Sequence, residues 1–192
     1  MKNRIGCGIA VLLMMQGCAL TRTSHEEASS DYLTPQGWQD HNRFLEYASF
    51  NDYAASVRRE VELYRIPFDA ENADQEVTMA SPAEILPREN CNGRVNGIAI
   101  LVHGLSDTAF AMRDIAEVLA SACYISRTVL LSGHGTRAGD MLNARYEYWR
   151  DTLEYLIKQA NLETETVCLP GFHWERYLLW SRRCFIQRTS MA

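Results

Sequence analysis

The sequence predicts an α/β protein built on a parallel sheet, and three observations carry that prediction. Short apolar runs rich in branched residues recur at Ile98–Val102, Thr128–Leu131 and Thr166–Leu169, as in strands buried on both faces. Between them, Ala111, Ile115, Val118, Leu119 and Ala122, and later Trp149, Leu153, Leu156, Ile157 and Ala160, fall at helical spacing. The connections are short, so strand, helix, strand, helix, strand implies right-handed crossovers and neighbouring parallel strands.

Composition bounds the rest. The chain has 192 residues, 47% hydrophobic and 22% charged, which suits one globular domain with a core of its own. The formal net charge of −5 disfavours a polyanionic partner, and no nucleic acid is expected. The six cysteines include no Cys-x-x-Cys pair and no Cys/His cluster at zinc spacing. Cys7 and Cys18 lie in the N-terminal segment, which leaves Cys91, Cys123, Cys168 and Cys184, and their pairing is left open.

In chain order, Lys2 and Arg4 precede an apolar stretch from Ile5 to Met15 that is too short to span a bilayer. Gly17-Cys18 closes it. This resembles a bacterial lipoprotein signal, so residues 1–18 are expected to be a signal peptide with Cys18 as the lipidated residue. Export follows, with a lipid anchor in an outer membrane facing the periplasm; a plain secretory signal leading to a periplasmic or secreted protein is the alternative. Residues 19–39 are polar and aperiodic and read as a tether.

Residues 40–96 form an N-terminal region of helix and strand. Asn51 is placed as a helix cap, with Tyr53, Val57, Val61 and Tyr64 on the apolar side, Arg58, Arg59 and Glu60 on the polar side, and Pro67 beyond the end. Glu76–Met79 reads as a short strand, flanked by the breaks Ser81-Pro82 and Leu86-Pro87. Asn90–Asn96 is turn chemistry ahead of the central strand.

Residues 97–172 carry the functional signal. Leu101-Val-His-Gly-Leu-Ser-Asp, then Leu131-Ser-Gly-His-Gly-Thr-Arg-Ala-Gly-Asp-Met, then the helix beginning near Tyr148-Trp149, together resemble the bacterial α/β-hydrolases of the carboxylesterase and monoglyceride-lipase type. The resemblance implies the N-terminal half of an α/β-hydrolase fold, ester or lipid substrates, and no cofactor. It also implies that the turn His103-Gly104-Leu105 supplies half of an oxyanion hole through the Leu105 N–H, a fixed dipole aimed at charge that develops in the transition state. His103 itself is read as a structural histidine under that turn, since the family's base is a later histidine. His134 and Asp140 are not read as metal ligands, because no third ligand accompanies them. Trp149 is assigned to a helix core, and Ser106 and Ser132 to turns.

The pattern then breaks. Where the resemblance demands Gly-x-Ser-x-Gly after the third strand, the chain reads Gly171-Phe172-His173-Trp174-Glu175. His173 occupies the nucleophile position, and no later acid and base follow, so no catalytic residue is intact. Residues 173–192 form an aberrant tail. Histidine, tryptophan and glutamate codons, with one T restored ahead of them, regroup to Ser-Leu-Gly, so a frameshift is the expected origin of the tail. A truncated, inactive hydrolase is therefore the first expectation. A membrane-anchored, non-catalytic binding or scaffold lipoprotein is the second. An enzyme using His173 or Cys168 in unrelated chemistry is the third. An interrupted sheet of this kind is also expected to end at an unpaired apolar strand, an edge prone to aggregation.

Overall fold

The computed structural model describes residues 30–39 and 47–170 and the backbone of 185–186. The expected signal peptide with Cys18, the first part of the expected tether, Gly171, Phe172, His173 and most of residues 173–192 lie outside the described residues. The strands are β1 (Ala83–Ile85), β2 (Gly97–Leu101), β3 (Tyr124–Thr128), β4 (Thr166–Cys168) and β5 (Phe185–Ile186). The helices beyond a single helical turn at Ser30–Leu33 are α1 (Phe50–Tyr64), α2 (Ala73–Ala80), α3 (Arg113–Ser121) and α4 (Tyr146–Glu163).

The sheet order is β1-β3-β2-β4-β5. Its centre is the expected parallel trio: β2 pairs β3 from Gly97↔Tyr124 to Leu101↔Thr128, and β4 on its other side at Ile98↔Val167. The two edges differ from expectation, because β1 runs antiparallel to β3 and β5 antiparallel to β4. The sheet is therefore mixed, and the outer edge of β4 is paired rather than open. Helices cover both faces. Ile98, Ile100 and Val102 point into a core shared with Tyr53, Val57 and Val61 of α1 and Leu153, Leu156 and Ala160 of α4. Leu101 points the other way, onto Met112 and Ala116. A strand buried on both faces needs apolar residues at every position, which Ile98–Val102 supplies.

Five local assignments are corrected. The second parallel strand begins at Tyr124 and ends at Thr128, earlier than the run Thr128–Leu131. Its apolar signal is hidden by Ser126 and Arg127, both buried. Arg127 is tolerated there because Nε donates to Glu84 at 2.7 Å and its two terminal nitrogens to Glu163 at 2.9 and 2.6 Å. A buried cation requires such pairing. Val129–Leu131 continues as buried extended chain, where Val129 N–H still reaches Leu101 O at 3.1 Å. The Tyr53 hydroxyl donates to Leu130 O and accepts from Leu130 N–H, at 3.0 and 3.3 Å, in place of a neighbouring strand.

The buried face of α3 is also different. Ala109 and Met112 of the preceding 3-10 turn, with Ala116 and Ala120, are buried, whereas Val118 is 70% exposed and Ile115 faces outward. Alanines let the helix axis approach the sheet, and the larger aliphatics are turned away. Glu76–Met79 is helix rather than strand: Asp69 caps the 3-10 turn before α2, its side chain accepting from Glu71 N–H, and Val77 and Ala80 face inward. The actual strand, β1, lies between Pro82 and Pro87, as an edge strand can. Finally, Ser49 rather than Asn51 caps α1, accepting from Asp52 N–H. Glu60, assigned to the polar side, is buried and accepts the Trp38 N–H at 2.5 Å. The end of the expected tether is thus docked on the core.

Cys91, in a 3-10 turn before β2, is disulfide-bonded to Cys123, directly before β3, with Cα atoms 5.5 Å apart. Cys168 is also disulfide-bonded. A cystine has no free thiolate to offer, which removes Cys168 from the third expectation, an enzyme using His173 or Cys168. No helix among the described residues is long and apolar enough to cross a membrane.

Candidate active site

Three chain segments meet at the carboxyl edge of the parallel trio, where open α/β sheets collect their chemistry. The first leaves β2 as His103–Asp107. Asp107 N–H closes on Gly104 O at 3.2 Å, a four-residue turn with Leu105 and Ser106 at its middle. Ser106 has a φ of 64°, in the left-handed region. The Leu105 side chain is 60% exposed, and its N–H donates to none of the described residues. The candidate oxyanion donor is therefore placed on a formed turn.

The second segment follows β3 as Ser132–Asp140. Gly133 and Gly135 both have positive φ, 87° and 80°, a conformation open to glycine. They flank His134 and fold it back over the first turn. A Cβ on Gly135 would lie 2.7 Å from Leu130 Cδ2, so the loop packs directly on that side chain, which would have to shift for any other residue. The third segment leaves β4 at Pro170. Val102 N–H donates to Pro170 O at 3.2 Å, so the outgoing ends of β2 and β4 lie side by side. Gly171, expected at the same edge, is beyond the described residues.

His103 is fully buried. Its Nε2 accepts Leu131 N–H at 3.1 Å, and its Nδ1 faces Gly104 O at 2.8 Å. An acceptor at Nε2 requires the proton to sit on Nδ1. Burial, followed by the nearby His134, pushes its pKa down to about 4, so the ring is neutral near pH 7. It packs under the turn, in the structural role read from sequence. His134 is placed similarly: Nε2 accepts Ser106 N–H at 3.3 Å, and Nδ1 faces Ser132 O at 3.3 Å. Burial lowers its pKa as well. The two rings meet edge-on with centroids 4.8 Å apart.

Trp149 of α4 packs on His134 at 5.6 Å and donates its indole N–H to Ser132 O at 2.8 Å. It belongs to the helix core as expected, and it also fixes this loop. The Trp38 indole N–H donates to His134 O at 3.1 Å. Asp140, also fully buried, spends its carboxylate on Gln36 N–H, Gly37 N–H and the Thr136 hydroxyl. A Cβ on Gly37 would sit 2.7 Å from Asp140 Oδ2, so glycine permits that approach. Among the described residues no group of three or more His, Cys, Asp or Glu is arranged to hold a metal ion. The Ser132 hydroxyl is buried without a partner among the described residues.

Immediately beyond the turn, Thr108 and Phe110 line a cavity of about 320 Å³ with Phe68, Met79 and Ala80. Arg65 and Glu76, also on its wall, are ion-paired at 2.7 Å, and Arg65 reaches Gly135 O at 2.8 Å. The cavity therefore abuts both loops. Sequence reasoning did not anticipate it, nor the parts played by Trp38, Arg65 and His134. The pattern Gly133-His134-Gly135 was the available signal for the last of these.

No family model matches the chain. The thermostable monoacylglycerol lipase of Bacillus sp. (strain H-257) is 32% identical over 80 residues, covering 42% of this chain and 31% of that protein. The chain thus spans about a third of the length of the curated relative it matches. A solved structure from a study of two metagenome-derived lipolytic enzymes, LipS and LipT, aligns with a TM-score of 0.43 at 24% identity, over 52% of this chain and 38% of that one. Over that 80-residue stretch the chain is similar in sequence to a monoacylglycerol lipase.

Proposed function

We propose that this chain carries the oxyanion-turn half of a serine carboxylic-ester hydrolase, with the Leu105 N–H as the oxyanion donor. The observation that carries the reading is the Val102–Pro170 hydrogen bond, which brings the chain leaving β4 alongside the Leu105 turn. A nucleophile carried shortly after Pro170 would leave the same sheet edge as the Leu105 N–H, the kind of preorganised donor that a tetrahedral oxyanion needs. The relationship to a monoacylglycerol lipase supports an ester or lipid substrate. The cavity bearing Phe68, Met79 and Phe110 offers apolar surface for such a substrate.

In the sequence as it stands, His173 follows Gly171-Phe172, and the chain is catalytically inactive on this reading. Restoring one T ahead of the His173 codon yields Gly-Phe-Ser-Leu-Gly and the missing nucleophile. Export and a lipid anchor at Cys18 complete the proposal. The Cys91–Cys123 disulfide supports an oxidising compartment outside the cytoplasm.

The test compares the present chain with the frame-restored protein on p-nitrophenyl esters. The restored protein hydrolyses them and is blocked by serine-directed inhibitors, and the present chain does not. Leu105→Pro then removes the N–H alone, because the second position of such a turn accepts proline. Its kcat falls by roughly a hundredfold to a thousandfold. A restored frame that stops early or encodes no later Asp and His rejects the proposal.

A further inference from the structure

The two buried histidines are linked in a way that neither one alone discloses. His103, on the turn after β2, accepts a backbone N–H from Leu131, on the chain after β3. His134, on the chain after β3, accepts a backbone N–H from Ser106, on the turn after β2. Each imidazole also faces a carbonyl of its own segment through Nδ1, Gly104 O for His103 and Ser132 O for His134. The two outgoing segments are therefore cross-linked twice, in opposite directions, by rings whose centroids are 4.8 Å apart.

We infer that His103 and His134 form a reciprocal clasp that holds the Leu105 turn, with His134 as its positioning residue, and that protonating either imidazole opens it. The ester-hydrolase reading gives the clasp its purpose, but the clasp itself stands on the hydrogen bonds. A neutral imidazole has one donor and one acceptor, and both are used at each ring. An imidazolium has two donors and no acceptor, so its Nε2–H would be directed at the Ser106 or Leu131 N–H. The bond turns from attractive to repulsive, and at buried Leu131 the displaced N–H is left without a partner.

The groups facing His134 are few. From the turn after β2 come His103 and the Asp107 carboxylate, which favours protonation of both rings. From α4 comes the Trp149 ring, and from the N-terminal segment the Trp38 indole; neither titrates. On its own loop, Gly135 O is held by Arg65, whose charge is paired with Glu76. Burial outweighs Asp107, and both rings titrate below the ordinary histidine range. The clasp is thus closed at neutral pH and opens on the acid side.

The test uses the full chain, labelled with ¹⁵N. Imidazole shifts at neutral pH should show both rings neutral with the proton on Nδ1. Amide protection factors, which correct for the intrinsic pH dependence of exchange, should fall at least tenfold at Ser106 and Leu131 as pH drops from about 7 to about 4.5. In His134→Gln the side-chain carbonyl replaces the acceptor without titrating, so Ser106 protection is retained at acid pH while Leu131 protection still falls. In His134→Leu, Ser106 protection is lost at every pH. An Nε2–H tautomer at either histidine, or protection at Ser106 that ignores pH in the unmodified chain, overturns the clasp. These two readouts need no variant and so do not depend on one folding. Because none of them uses catalysis, a frame-restored protein without esterase activity counts against the ester-hydrolase reading and leaves the clasp standing.

Discussion

β2 and β3 are fastened to each other at both ends, by opposite chemistry. At their amino ends the Cys91–Cys123 disulfide joins the turns leading into them, reinforced by Asn96 N–H on Cys123 O at 2.7 Å. At their carboxyl ends, His103 and His134 join the turns leading out. The first fastening is covalent and indifferent to protons. The second is made of neutral hydrogen bonds and is indifferent to reductant. The difference teaches where this scaffold is permanent and where it is adjustable. The adjustable end is the one that presents the Leu105 N–H.

The sharpest way to break the comparison is to remove the permanent end. The cysteines are 32 residues apart, and closing a loop of that length restricts the unfolded chain enough to contribute about 3–4 kcal/mol. Cys91→Ala/Cys123→Ala should therefore lower the urea-unfolding free energy by about that amount. The acid response of Ser106 and Leu131 should be unchanged. If the double variant also flattens that response, the two ends are not independent.

The adjustable end is probed by acid, with a smaller effect. The pKa of His103 is depressed to about 4 in the folded chain from 6.5 when free. The unfolded chain thus binds this proton at higher pH than the folded chain does. Stability contributed by the neutral ring is fully present above pH 6.5 and is lost as pH falls from 6.5 towards about 4. The shift corresponds to about 3 kcal/mol at the low end, the depressed pKa of His134 acting in the same direction. Urea unfolding at about pH 7 and about pH 4.5 reads it directly. A stability independent of pH across that window contradicts the assignment of neutral, acceptor imidazoles.

How much of this was legible beforehand divides along similar lines. The parallel centre was legible because β2 and β4 advertise two-faced burial in continuous apolar runs. β3 was misplaced because its buried Arg127 reads as a surface residue until Glu84 and Glu163 are seen around it. The inward face of α3 was misread because Ala116 and Ala120 carry weak hydropathy, while the outward Val118 carries a strong one. β1 escaped notice as three residues between prolines. The Leu105 turn was legible from a local motif. The use made of His134 was not, because its partner Ser106 lies 28 residues away, and spacing along one element holds no record of a bond between two loops. The cysteine pairing was open for the same reason.

The smallest predicted effect isolates what the clasp actually grips. Ser106 sits at a φ of 64°, where an L side chain meets a steric cost of roughly 1–2 kcal/mol. Glycine is free of that cost but gives up roughly 0.5–1 kcal/mol of unfolded-chain entropy. Ser106→Gly should therefore stabilise the chain by only about 0.5 kcal/mol, seen as a slight rise in the urea midpoint at an unchanged slope. Its value lies in what stays constant. His134 accepts the backbone N–H of residue 106, which glycine retains. The acid-induced loss of protection at residue 106 should then match that of the unmodified chain in both midpoint and size. A changed midpoint means that the serine hydroxyl takes part in holding the imidazole, and the clasp must be redrawn to include it.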